Sequence, residues 1–384
     1  MSQVQRVCPI CQSSDIEVTF NNMMSTVGGF DMSYTIGQCT SCGFHFAHRL
    51  ADGGTYINYY QTASKYDVAD EVSQIDQKRI DYSVKFCERL VGSGEMIVDL
   101  GCGFGAMLSA LRKAGWSNLH GVDPAPNSAN RAKALFDIDS IHCATMAQAH
   151  TVVPLDQADV VCFMAVLEHL PNLRADLSEL LKKLKPGCRV LVEVPAVEYF
   201  SAEKNEPFGE FSLEHIQFFT EVSLKNLFES LGWKSKKMKS LALPLVGSGS
   251  IFGLFLRSKS SSLNPLLDVE SGLALRQYVA VSSLVLKNAL QRIPTGPILI
   301  YGAGSHSARL IPHLESMPDV TIVAVVDSNP NLQGKKIGQW TIEAPSLIET
   351  APELPVLVSS FRSQREIASI LQSRYPNPLV LMYG

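Results

Sequence analysis

Between residues 95 and 194, short apolar runs alternate with longer amphipathic stretches. The runs Met96–Leu100, Leu119–Val122, Asp139–His142, Ala158–Met164 and Arg189–Val194 predict strands; the stretches Ala106–Ala114, Ser128–Leu135 and Leu173–Leu184 predict helices. Apolar strands in regular alternation with helices imply a mostly parallel sheet covered on both faces. Ahead of this, residues 51–91 are polar, with Ile75, Ile80, Val84, Phe86 and Leu90 at helical spacing, which predicts one or two lead-in helices. Behind it, a helix starts near Glu221, and Trp233–Arg257 reads as two strands that finish the sheet antiparallel. Residues 258–264, a serine cluster, read as a linker, and Asp268–Leu290 as a helix. A second series follows: strands at Ile298–Tyr301, Thr321–Val326 and Val356–Ser359, with helices at Ser307–Leu314 and near Gln364–Gln372. The fold class is α/β, with a Rossmann-like core between an N-terminal module (1–55) and a smaller C-terminal Rossmann-like α/β domain. The core takes residues 56–260, including a helical lead-in over 56–94. The linker helix and last domain take 261–384.

Composition agrees with a core-building chain. Of 384 residues, 46% are hydrophobic and 18% charged, which excludes disorder as its main character. A net charge of −4 offers no basic excess for nucleic acid. The N-terminus has no apolar run behind a charged stub, so no secretory leader is expected. The apolar stretch Leu241–Leu256 is interrupted by Pro244, Gly247, Gly249 and Gly253 and is shorter than the roughly 20 residues of a spanning helix. The expectation is a cytoplasmic protein with a small-molecule substrate, without nucleic acid or membrane as partner.

The nine cysteines are unevenly placed. Cys87, Cys102, Cys143, Cys162 and Cys188 stand singly among apolar residues and read as small buried hydrophobes. Cys8-Pro-Ile-Cys11 and Cys39-Thr-Ser-Cys42 are different. Two-residue spacing lets both thiolates of a turn face one ion, and two such turns complete a tetrahedral sulfur site that suits zinc. Gly43 after Cys42 can turn backbone amides toward sulfur. Four sulfurs close the site, so the expected Zn2+ is structural, with His45 and His48 as spare nitrogens. A redox pair is the rival reading, but two pairs favour a metal.

Asp99-Leu-Gly101-Cys-Gly103-Phe-Gly105 follows a predicted strand and opens a helix. Glycines let backbone approach a ligand closely, and the helix N-terminus offers free amides. Asp123 ends the next strand, where a carboxylate can accept both hydroxyls of a ribose. The Gly-x-Gly-x-Gly spacing differs from the Gly-x-Gly-x-x-Gly that cradles a pyrophosphate. A nucleoside ligand carrying an amino-acid tail would suit it.

This loop resembles motif I of class I S-adenosylmethionine-dependent methyltransferases. Further markers are Asp159-Val-Val-Cys-Phe-Met164, then Ala165-Val-Leu-Glu-His169-Leu-Pro171, and Leu184-Lys-Pro-Gly187 before the fifth strand. The resemblance implies that Asp99, Gly101, Gly103 and Gly105 hold the methionine end of S-adenosyl-L-methionine and Asp123 its ribose. Thr145 and Met146 would edge the adenine, and Met164 and Ala165 would line the cofactor floor. His169 would be a structural or wall residue. With the cysteine pairs in front and a second Rossmann-like domain behind, the order of parts resembles the deoxysugar C-methyltransferases of antibiotic biosynthesis (tylosin, novobiocin and tetronitrose type). Their Tyr-His-Glu-His segment supplies catalytic groups. Here it reads Ser212-Leu213-Glu214-His215, which keeps Glu214 and His215 and departs at the other two positions. A histidine titrating near neutrality suits proton removal from an acceptor, with the neighbouring carboxylate as its orienting partner.

Gly302-Ala-Gly304-Ser-His306 also follows a predicted strand, and Asp327 ends the next one, which approximates a dinucleotide fingerprint. In the sugar enzymes the corresponding domain helps bind the nucleotide part of the substrate. Their Gly-Ala-Ala-Ala-Lys-Gly loop carries a lysine where this chain has His306 nearby. Gly302, Gly304, His306 and Asp327 are therefore the candidate substrate-binding residues, with Lys335 and Lys336 reading as a solvated surface pair. The leading expectation is an S-adenosylmethionine-dependent methyltransferase acting on a sugar, nucleotide-activated, at carbon or oxygen. The competing classes are a zinc-ribbon scaffold with a non-catalytic core, and an NAD-linked oxidoreductase.

Overall fold

A computed structural model describes residues 3–62, 72, 74–202, 205–243, 249–258 and 264–383. The first ladder comprises β1 (Val4–Gln5), β2 (Ile16–Asn22), β3 (Tyr34–Cys39) and β4 (His45–Leu50), in spatial order β1-β4-β3-β2. Two helices follow, α1 (Gly53–Thr62) and α2 (Gln74–Glu88).

The central sheet is built in chain order from β5 (Ile97–Leu100), α3 (Ala106–Lys113), β6 (Leu119–Asp123), α4 (Ser128–Phe136), β7 (Ile141–Cys143), α5 (Ala149–Val152), β8 (Val160–Met164), α6 (Leu173–Lys182) and β9 (Arg189–Pro195). After β10 (Gln217–Phe218) and α7 (Glu221–Ser230) come β11 (Trp233–Ala242) and β12 (Gly249–Arg257). The spatial order is β11-β12-β9-β8-β5-β6-β7. β5 to β9 run parallel, and β12 and β11 return antiparallel. Central strands β5 and β8 are buried along nearly their whole length, as continuous apolar runs in a doubly covered sheet require. The strand expected at Asp139–His142 starts two residues later, at Ile141, and the exposed Asp139 ahead of it pairs with Lys133 at 2.7 Å.

β10 pairs with β4 of the N-terminal ladder, Gln217 opposite Phe46 and Phe218 opposite His45. This two-residue strand has no periodicity of its own and is invisible as a local pattern. It carries the segment after His215 out of the central domain and into the cysteine module's sheet.

The long α8 (Val269–Leu290) leads to β13 (Gly296–Tyr301), α9 (Ser305–Glu315), β14 (Val320–Val326), β15 (Lys336–Ile337), β16 (Trp340–Glu343), β17 (Val356–Val358), α10 (Gln364–Arg374) and β18 (Leu379–Val380). They form a third sheet in the order β15-β16-β14-β13-β17-β18, parallel except at its β15/β16 edge. One apolar cluster runs through Tyr34, Tyr56, Phe211, Phe218, Tyr278 and Ile311, so the N-terminal ladder, the 208–218 segment and the third sheet share a core.

Residues 259–263 of the serine linker, and residues 244–248 with the Pro244 and Gly247 that interrupt the apolar stretch, lie outside the described residues. Cys87, Cys162 and Cys188 are buried as expected; Cys102 is half-buried, and Cys143 is exposed at the end of the edge strand β7. No described helix is long and apolar enough to cross a membrane.

Candidate functional site

The parallel strands end on one edge of the central sheet, and a cavity of about 350 Å³ opens there. Gly101, Gly103 and Gly105 all have positive φ, +77°, +53° and +80°. A Cβ on Gly101 would stand 2.5 Å from Val166, so the loop folds back too tightly for a side chain. Gly103 donates its N–H to Asp123 Oδ2 at 2.8 Å, while Asp123 Oδ1 accepts from Ala125 N–H and the Ser128 hydroxyl. Asp123 thus braces the glycine loop as it faces the cavity.

Asp99 is buried, and its Oδ1 has no hydrogen-bond partner among the described residues. Burial, with the charge of Asp123 second, pushes its carboxyl up to about 7. An orphaned buried carboxylate oxygen at the mouth of a glycine loop fits a cationic ligand group, and the amino group of S-adenosylmethionine has that chemistry. Asp99, Gly101, Gly103, Asp123, Thr145, Met146, Met164 and Ala165 all line the one cavity. Gly105 does not: it is the left-handed N-cap of α3, and a Cβ there would meet Ile141 at 2.6 Å. It turns the chain into the helix. Ala165 has φ +56°, a strained conformation for a residue with a side chain, held by its N–H to the Glu193 carbonyl.

Tyr56 and Tyr60 of α1, and Arg79, Ile80 and Ser83 of α2, close the cavity from the other side. Sequence reading missed them; the cluster of tyrosines at 56, 59 and 60 in a polar stretch was the available signal. Arg79 Nη2 holds both oxygens of Glu193, at 2.8 and 3.1 Å.

At the cavity's far end, His169 and His215 stand with ring centroids 5.0 Å apart. His169 Nδ1 lies 3.1 Å from the Glu214 carbonyl and its Nε2 lies 3.7 Å from Glu168. Glu168 is fully buried, neither of its oxygens has a hydrogen-bond partner among the described residues, and burial, with the charge of Glu193 second, pushes its carboxyl up to about 8. The expectation that Glu214 orients His215 is not what the geometry gives: Glu214 accepts the Tyr59 hydroxyl at 2.9 Å. The carboxylate beside His215 is Glu210, at 3.7 Å from Nδ1. Ser212 accepts the N–H of His215 at 3.1 Å, so in this chain it shapes the turn that presents the histidine.

The four N-terminal cysteines converge. Cys8 and Cys42 sulfurs are 3.6 Å apart, Cys11 and Cys39 3.4 Å, and all four lie within 4.8 Å. A tetrahedral ion with sulfur ligands at about 2.3 Å needs them about 3.8 Å apart, so the set fits such an ion. Left-handed Gln12 and Gly43, with Gln12 N–H to the Cys8 carbonyl and Gly43 N–H to the Cys39 carbonyl, form the two turns. His45 and His48 point away from this set, to Ser271 and to the Arg6 carbonyl.

In the third sheet, Gly302 has φ +106° and Asp327 Oδ2 accepts the Ala303 N–H at 2.7 Å, the same brace that Asp123 gives the first loop. His306 is held between Ser359 and Tyr383, each at 2.8 Å. These residues cluster at their own sheet's edge and do not line the central cavity. Arg309 joins the two regions: it donates to the Phe211 carbonyl and lies 3.8 Å from Glu206.

Residues 74–236 match a family described as a methyltransferase domain. The chain is 29% identical over 145 residues to the mitochondrial ubiquinone biosynthesis O-methyltransferase of Schizosaccharomyces pombe, covering 37% of this chain and 48% of that protein. It is 27% identical over 183 residues to the ubiquinone biosynthesis O-methyltransferase of Aeromonas salmonicida, covering 44% and 74%. With the first of these the match spans about half the relative's length. Among solved structures, the 1,6-didemethyltoxoflavin-N1-methyltransferase of Burkholderia thailandensis is 15% identical with a TM-score of 0.43, covering 60% of this chain and 98% of that one. The central domain has the Rossmann-like class I methyltransferase fold expected from its glycine loop.

Proposed function

We propose that this chain transfers the methyl group of S-adenosylmethionine to a small acceptor. The observation that carries the reading is the orphaned, buried Asp99 oxygen at a left-handed glycine loop whose cavity runs on to His169. Asp99 takes the amino group, Asp123 the ribose hydroxyls, Thr145 and Met146 edge the base, and the sulfonium methyl faces the histidines. The acceptor's reacting O–H loses its proton at the Glu168–His169–His215 group. Oxygen then attacks the methyl carbon, the C–S bond breaks, and neutral S-adenosylhomocysteine and one proton leave.

The acceptor atom in this reading is oxygen. Two features support it: the relatives above are named O-methyltransferases, and Ser212 and Leu213 stand where the sugar C-methyltransferases have tyrosine and histidine. The acceptor class we infer is a nucleotide-activated sugar. The support is the second glycine loop, with Gly302, Gly304, His306 and Asp327 taking the nucleotide part, reached through the 206–215 segment. The cysteine set holds a structural zinc and residues 1–55 serve as a brace, in a division at about residues 55 and 260.

Calorimetric titration with S-adenosylhomocysteine and with NADH tests the class. Binding of the first alone supports methyl transfer. Binding of neither would return the chain to a scaffold role, and binding of NADH would favour an oxidoreductase. A screen of nucleotide sugars and of hydroxylated aromatic compounds with labelled methyl donor then tests the acceptor; transfer only to the aromatics would overturn the sugar reading.

A further inference from the structure

We propose that Arg6 is a positioning residue for the acceptor end of the site: its guanidinium sets the spacing between the two segments that carry His169 and His215. All three guanidinium nitrogens donate to main-chain carbonyls. Nε and Nη2 reach Ala47 on β4 at 2.9 and 2.6 Å, Nη1 reaches Pro171 at 2.6 Å, and Nη2 also reaches Ile216 at 3.4 Å. Pro171 stands two residues beyond His169, and Ile216 one residue beyond His215. One side chain therefore ties both histidine segments to the same strand of the N-terminal ladder.

The chemistry of the group suits this task. A guanidinium is planar and always charged, and its donors point in fixed directions, so carbonyls bound to it cannot drift independently. Hydrogen bonds from a charged donor are also stronger than neutral ones. Arg6 is itself held in place: its N–H donates to the His48 carbonyl at 2.8 Å, its own carbonyl lies 2.9 Å from His48 Nδ1, and the guanidinium carbon sits 5.3 Å from the centre of the Phe46 ring. An apolar side chain of similar length would fill the space without desolvating a charge, so packing alone does not call for arginine here.

His169 is where the spacing is felt. Its Nδ1 lies 3.1 Å from the Glu214 carbonyl, which can only accept, so Nδ1 carries the proton and Nε2 the lone pair. That bond runs from the turn after β8 to the segment that ends in Ile216, across the same gap that Arg6 spans. When the segments part, the bond lengthens and the ring is free to exchange its protonated nitrogen. Arg6 thus acts through His169, by keeping the basic nitrogen on the Nε2 side. The tautomer follows from these residues alone; its use in taking the acceptor's proton rests on the methyltransferase reading.

The test is a long-range proton–nitrogen correlation spectrum of the full-length chain with isotope-labelled histidine, taken at about pH 8, where an imidazole of ordinary pKa is neutral. The His169 signal is the one lost in His169→Gln. The expected result is the Nδ1–H form in the wild type, a mixture of forms in Arg6→Met, and a smaller admixture in Arg6→Lys, which keeps the cation without the fork. Arg174→Met is the control. Arg174 binds the Ile10 carbonyl and the Ser230 hydroxyl, each at 2.8 Å, but neither histidine segment, so its loss should cost stability and leave the His169 form unchanged. In Arg6→Met, kcat should fall about tenfold to a hundredfold, the cost of a displaced reacting group. S-adenosylhomocysteine affinity should stay within about threefold, under 1 kcal/mol, and reports that the variant is folded. If Arg6→Met does not fold, Arg6→Lys decides alone. An Nε2–H form in the wild type, or an unchanged His169 form in the folded Arg6 variant, overturns the proposal. A wild type that binds no S-adenosylhomocysteine, with His169 still responding to the Arg6 substitution, would instead sink the methyltransferase reading.

Discussion

Gln217 and Phe46 are register partners across an antiparallel ladder, although one follows His215 in the central domain and the other lies four residues after Cys42. The backbone adjoining that pair continues the link. Ala47 N–H reaches the Ile216 carbonyl, Ile216 N–H reaches the Glu168 carbonyl, and the Gln217 side chain reaches the Leu170 carbonyl at 2.8 Å. The cysteine module therefore sets where His215 stands relative to His169.

Removing one sulfur ligand should reach the acceptor end of the site more than the cofactor end. In Cys39→Ser we expect a lower melting temperature and at least about a tenfold fall in kcat/KM for the acceptor, the size of effect that loosening a site's supporting shell produces. S-adenosylhomocysteine affinity should stay within about threefold, since a factor that small is under 1 kcal/mol. Metal analysis, calorimetry and steady-state kinetics on the same variant check this. An equal loss at both ends would mean the module braces the whole fold and not the β10 segment.

Asp99 gives cofactor binding a pH dependence. Its folded carboxyl is raised to about 7 by burial first and by Asp123 second. A carboxyl raised on folding favours the native state at pH below its unfolded value, and that advantage is lost as pH rises toward 7. The ligand's ammonium binds the ionised form, so the sign for affinity is opposite. S-adenosylhomocysteine affinity should rise with pH up to about 7 and level off above it, falling by up to about tenfold per unit on the acid side. Titrations between pH 5.5 and 8 check the slope, and Asp99→Asn should flatten it while weakening binding.

The cofactor loop was legible because everything it needs is local. A strand end, three left-handed glycines and a helix start follow one another in the chain, and the acidic end of the next strand lies beside them in any right-handed parallel crossover. The acceptor end was not. Glu168 and His215 meet where Ile216 N–H bonds the Glu168 carbonyl beside β10, a two-residue strand on β4 with no pattern to read. Adjacency in the chain points to Glu214 as the partner of His215, but the backbone bends at Leu213 and Glu214 around the Ser212 hydroxyl, so Glu214 reaches Tyr59 while Glu210 lies beside the histidine.

Gly101 tests the loop's geometry. Alanine there must adopt φ +77° and push its Cβ to 2.5 Å from Val166, whose neighbour Ala165 is itself left-handed. A left-handed alanine costs about 1–2 kcal/mol and the contact adds to it. Gly101→Ala should lower stability by about 2 kcal/mol or more, from these terms together, and weaken S-adenosylhomocysteine binding. Gly115, with φ +109° but nothing within 4 Å of an added Cβ, is the control. Gly115→Ala should cost stability through backbone strain alone and leave the cofactor affinity unchanged in calorimetry.

Arg309 tests whether the third sheet helps to form the acceptor site. It is buried on α9, donates to the Phe211 carbonyl and lies 3.8 Å from Glu206, so it anchors the segment that ends in His215. Arg309→Met keeps most of the apolar stem but removes the donors and the charge. The Phe211 carbonyl and the Glu206 carboxylate would be left with one partner fewer, at a cost of about 1–3 kcal/mol. If the segment loosens as this geometry requires, KM for the acceptor rises while S-adenosylhomocysteine affinity stays near the wild-type value. Unchanged KM together with the expected stability loss would show Arg309 to be a packing residue, with the third sheet contributing nothing to acceptor binding through it.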